Sequence, residues 1–218
     1  MAGREEQRRR EEGRHWLPSQ GVDPAPLAEL NAECLGYLCL RAAESKTMVG
    51  APGLLSVLQE QWASMPAHAV RRLSTAPFSL FDAGFATAPR WLEHRSRGVH
   101  DLIQCAEPPF FEAAQARSIT RRMLVYGWHL ARSRPRAACL VFGSNIAAVE
   151  SVAACSLAAL EAAADRNAGT LRPRWSGQLG FWRELLIAAS AGADRRLHEL
   201  LLGGVQRLAA ETLAAHAS

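Results

Sequence analysis

The chain has 218 residues, a formal net charge of +4, and 49% apolar residues, of which 40 are alanine. That suffices for one large domain or two small ones, and it excludes collagen-like, coiled-coil and fully disordered chains. No apolar run reaches the ~18 residues of a membrane span, and the first residues are too charged for a secretory signal, so a cytoplasmic protein is expected.

Residues 1–26 alternate Arg and Glu blocks, then meet Pro18, Gly21, Pro24 and Pro26, with almost no apolar residue before Trp16. Such a stretch cannot bury enough surface to offset its ordering entropy and reads as a mobile tail. From Leu27 the pattern turns helical, with Leu27, Leu30, Cys34 and Leu38 on one face and Pro26 placed to open the helix. A second helix begins at Pro52 and carries Leu54, Leu55, Leu58 and Trp62, and a third follows Pro66 and stops at Pro77. Residues 77–85 lack a helical period and hold Phe78, Leu80, Phe81 and Phe85. They read as an extended lid over the core, with a partner-docking strip as the other reading. A brief helix is expected around Trp91.

The polar stretch 94–109, broken by Gly98, Pro108 and Pro109, reads as a linker between an N-terminal unit, 27–93, and a C-terminal one, 110–218. A long helix is expected from Phe110 to Ser133, ended by Pro135, then a short element over 137–142 that stops at Gly143. Ser144 and Ser156 stand where N-caps would open the next two helices, the second ending at Gly169. Two further helices are expected over 178–190 and 194–216, with Gly203-Gly204 marking close helix packing. Strand signals are nearly absent, so the chain is expected to be all-α.

The halves echo one another. Leu35-Gly-Tyr37 matches Leu124-Val-Tyr126, Ala42 matches Ala131, Leu80 matches Leu171 and Trp91 matches Trp182. The order of expected elements also repeats, which suggests a duplication whose halves pack as a pseudo-dimer. The second half further resembles the FlhD family, the helical subunit of the flagellar transcriptional master regulator. Leu124-Val-Tyr-Gly-Trp-His-Leu130 is followed at the family's spacing by Leu140-Val-Phe142-Gly143. Ser156-Leu157 stands at the helix start where that family has Thr-Leu, and Leu171-Arg-Pro-Arg-Trp175 echoes its Arg-x-Arg-aromatic segment. The likeness covers about residues 118–176, with a fainter copy in 30–86. Ala159 replaces the family's Gln, and Pro173 stands inside the strand-like segment. The resemblance implies an FlhD-like helical core and a bacterial regulatory or adaptor role, with another protein subunit and DNA as the expected partners. The alternative is a secretion-system accessory or chaperone-type module with no nucleic-acid role.

Candidate binding residues follow from charge. The 25 basic residues are 24 arginines and Lys46, a skew that reads as GC-rich coding bias. Arg132, Arg134 and Arg136 cluster where the long helix ends, and Arg172 and Arg174 flank Pro173 beside Trp175. Guanidinium groups on one exposed face would contact phosphates or a partner, and Trp175 could stack on a base. The plainer reading is that cations favour a helix C-terminus, while Trp175 seals the core and the neighbouring arginines pair with carboxylates. His68 and His129 read as surface or core residues. Five cysteines, an odd number with no C-x-x-C pair, fit a reduced compartment, and no metal or cofactor is expected. With no nucleophile elbow, phosphate loop or H-E-x-x-H, no enzyme is expected.

Overall fold

The computed structural model describes residues 23–44, 50–85 and 108–216, with the side chains of the last helix as far as Ala214. The expected tail, most of the linker and the helix around Trp91 lie outside the described residues. Within them the chain is all-α: ten α-helices, one 3-10 turn and a single ladder of two two-residue strands.

Helix α1 (Ala25–Glu44) starts two residues before the expected Leu27. Asp23 accepts the Ala25 N–H at 3.0 Å, and Pro26 sits in the first turn, where its missing N–H costs nothing. Its stripe of Leu27, Leu30, Cys34, Leu35 and Leu38 is buried. The single helix expected after Pro52 is two, α2 (Gly53–Val57) and α3 (Gln59–Ala63). Leu58 leaves helical geometry between them (φ −109°, ψ 26°), and Leu54, Leu55, Leu58 and Trp62 all reach the core. Helix α4 (Ala67–Ser74) completes this group, and α1 packs on both α3 and α4.

Phe78, Leu80, Phe81 and Phe85 are all buried, so the 77–85 segment is a core lid. A polar residue holds it down. Asn31, buried on α1, donates to the carbonyls of Ser74 (3.3 Å) and Phe78 (3.1 Å) and accepts from the Leu80 N–H (2.9 Å). One amide thereby satisfies the last carbonyl of α4 and two backbone groups of the irregular segment, which would otherwise be buried unpaired.

In the second half α5 (Ala113–Ser133) opens with a capping box between Glu112 and Gln115. Helix α6 (Pro135–Phe142) carries Pro135 in its first turn and ends at Gly143, whose φ of 58° suits a residue without Cβ. Helix α7 (Ile146–Ala153) is capped by Asn145, which accepts from Ala148, and not by Ser144. The turn at Gly143 directs the Ser144 N–H to the Cys139 carbonyl and buries its side chain. Ser156 does cap α8 (Leu157–Asn167), which ends two residues before Gly169 in a 3-10 turn. Helices α6, α7 and α8 all pack on α5.

Several contacts join the halves, among them the packing of α1 on α5. Strand β1 (Phe81–Asp82) pairs antiparallel with β2 (Arg172–Pro173), with Phe81 opposite Pro173 and Asp82 opposite Arg172. Helix α9 (Leu179–Ser190) then crosses onto α3 and α4, setting Trp182 5.6 Å from Trp62, ring centre to ring centre. The last helix, α10 (Asp194–His216), lies on α9 and α6. Of its two glycines only Gly204 is at a close approach: a Cβ there would stand 2.4 Å from the Phe78 ring. Because that ring is locked in the core, Gly204→Ala is expected to destabilise by about 1–3 kcal/mol in urea unfolding, whereas the same change at Gly203 meets nothing.

Candidate interaction surface

The expected site residues fall into two groups that the fold treats differently. Arg132 closes the last turn of α5, Arg134 is the residue between α5 and α6, and Arg136 lies in the first turn of α6. Arg132 and Arg136 are exposed and Arg134 is half-buried. Arg132 rests over the Trp128 ring, 4.8 Å from its centre, and Trp128 is fixed in turn by its indole N–H donating to the Cys155 carbonyl at 3.0 Å. None of the three forms an ion pair among the described residues.

Elsewhere the arginines are mostly engaged. Arg117 pairs with Asp165 and Arg121 with Glu161, tying α5 to α8, and Arg122 pairs with Glu33 across the halves. Arg72 pairs with Asp194, and Arg195 and Arg196 with Glu199 and Glu184. Arg71, Arg172, Arg183 and Arg207 are exposed without an ion pair among the described residues, but they are scattered along the sequence, and Arg207 lies over the Trp175 and Phe181 rings. The α5–α6 junction is where unpaired cations gather.

Arg172 and Arg174 do not share an exposed strip. Arg172 is exposed, but Arg174 is buried, a correction to the sequence expectation. Its backbone N–H continues the ladder onto the Leu80 carbonyl at 2.8 Å, which turns the side chain inward. There Nε donates to the Ser79 carbonyl at 2.8 Å and Nη2 to that of Phe142, at the end of α6. Desolvation pulls the guanidinium pKa down, and the nearby carboxylates of Asp82 (3.9 Å) and Glu211 push it back. Arg174 is a clamp between the halves.

Trp175 is also committed, and is not free to stack on a base. Its backbone is left-handed (φ 52°), rare for a bulky side chain, and it is held there by packing. Phe78 and Phe181 contact its ring edge-on at 5.8 and 5.3 Å, and its N–H donates to Glu211 at 2.7 Å. Asp82, Arg172, Trp175 and Glu211 rim an open cleft of about 300 Å³ in which charges of both signs offset one another.

Sequence reasoning missed the apolar companions of the basic cluster. Leu140 is 56% exposed and lies four residues after Arg136, on the same face of α6. Ile146, at the start of α7, is 38% exposed, and the two helices meet at 115°. The i, i+4 spacing of Arg136 and Leu140 was the available signal. Burial pushes every described thiol upward, Cys39 to about 11, so these cysteines are poor nucleophiles at neutral pH. Among the described residues no three His, Cys, Asp or Glu side chains converge on a metal-sized site. No known protein family, curated protein or solved structure matches this chain.

Proposed function

We propose that the chain is a helical adaptor with a regulatory role, exerted by binding another protein and not by catalysis or DNA contact. The observation that carries this reading is that the surface arginines either pair with carboxylates or are scattered, and gather unpaired only in one short cluster beside exposed apolar side chains. A DNA-binding face needs several free cations spaced along a phosphate track, since each neutralised phosphate adds its own increment of affinity.

The core of this adaptor is read as two FlhD-like units paired as a dimer would be. Two contacts support it. Glu33 and Arg122, an ion pair 89 residues apart, occupy matching positions in the repeat aligned on Leu35/Leu124, as expected for residues facing each other across a two-fold axis. In the ladder, the Leu80/Leu171 alignment makes Phe81 equivalent to Arg172 and Asp82 to Pro173. Each strand residue then faces the equivalent of the other, the isologous pattern of a self-complementary interface.

Anisotropy titration of the full chain with fluorescein-labelled duplex DNA, at about 50 mM and about 150 mM salt, tests the reading. No binding is expected at the higher salt. Saturable binding there, with a steep fall of log K against log salt, would overturn it.

A further inference from the structure

The junction of α5 and α6 carries a binding chemistry of its own. Three guanidinium groups lie within five residues, unpaired among the described residues, on a surface where six other arginines have found a carboxylate. Folding does not account for all of them. A cation in the last turn of a helix is stabilised by the helix dipole, which explains Arg132, but Arg136 sits in a first turn, where the dipole disfavours it. Within one helical turn, about 6 Å along α6, comes Leu140, an aliphatic side chain that is more than half exposed. Trp128 braces Arg132 from beneath, which reduces the entropy lost when that side chain is fixed on a ligand.

We propose that this junction docks an acidic, amphipathic segment of a partner protein, with Arg132, Arg134 and Arg136 taking its carboxylates and Leu140 its apolar side chains. The inference rests on the adaptor reading above and names the partner's chemistry. Charge complementarity selects an acidic partner, because like-charged or neutral segments leave three guanidinium groups without counter-charge. Leu140 selects a peptide over a nucleic acid, because against a phosphate backbone an exposed leucine gains nothing, whereas a peptide's Leu, Ile or Phe would bury it. Three cations could neutralise only about three phosphates, too few for a firm grip on DNA at physiological salt.

The test pans the full chain against a display library of random peptides of about 16 residues. Panning is repeated on the Arg132→Gln/Arg134→Gln/Arg136→Gln triple variant and on Leu140→Glu. Circular dichroism melts confirm that both fold, as expected for side chains outside the core. Peptides enriched on wild type are expected to be net negative and to carry apolar residues at three- or four-residue spacing. Their synthetic forms are expected to bind at least about tenfold more weakly to either variant, and more weakly as salt rises. Enrichment of neutral or basic peptides, equal binding by the variants, or no enrichment at all would overturn the proposal. Those results, with DNA binding still absent, leave the adaptor reading standing. Binding of labelled duplex DNA that the triple variant loses would instead overturn both.

Discussion

Arg174→Ala is expected to destabilise the protein by about 3–5 kcal/mol. The substitution removes the side chain that donates to both the Ser79 and Phe142 carbonyls, and each buried oxygen left unpaired costs about 1–3 kcal/mol. It also opens space beside Gly143, where the Arg174 guanidinium stands 3.3 Å from where a Cβ would be. Arg174→Lys keeps the charge but has a single ammonium in place of the fork, so it is expected to recover only part of the loss. Urea unfolding of the three proteins measures this, and a loss below about 1 kcal/mol for the alanine variant would contradict the clamp.

Asn31→Asp is expected to show the second large effect, and one that depends on pH. The two side chains have the same shape, but a carboxylate would face the carbonyls of Ser74 and Phe78 in place of the amide that donates to both. Burial beside two acceptors raises the folded-state pKa of the introduced carboxyl above its unfolded value of about 3.9. Between those two values the native state binds more protons than the unfolded one, so the variant loses stability as pH rises. The penalty is expected to be about 3 kcal/mol or more at pH near 7, and to shrink as pH falls toward about 4, because the protonated acid can again donate one hydrogen bond. Thermal melts of variant and parent at both pH values read the gap in Tm. A gap that stays constant on acidification would contradict the buried network.

The helices were legible because their causes are local. Leucines at three- and four-residue spacing, with Pro26 in the first turn of α1 and Pro66 just before α4, placed α1, α4, α5, α9 and α10 to within a few residues. Asn31 was missed, although a polar residue on the Leu27–Cys34–Leu38 stripe was a visible anomaly. Its partners lie 43 to 49 residues away, in a segment whose path no periodicity reveals. The inward turn of Arg174 was missed for the same reason: its fate is set by Ser79, 95 residues earlier, and by the free carbonyls at the end of α6. The exchange of Ser144 for Asn145 as a cap turned on where Gly143 leaves the chain pointing, and either side chain could have served. The exposed basic cluster could be found in sequence because nothing distant acts on it.

The ladder between β1 and β2 has a kinetic consequence. Its partners, like Arg72 and Asp194, are separated by about ninety or more residues, so a long loop must close before either contact contributes. The entropy of closure grows only slowly with loop length, but it is met before the interactions that offset it exist. Helices that pack on their sequence neighbours escape this, and all-helical proteins are therefore usually fast to fold. Here β1 has no described strand partner within its own half, and α9 rests on helices of the other. Folding is therefore expected to be slower than for a helical protein of this size built from local contacts alone, which stopped-flow refolding would measure.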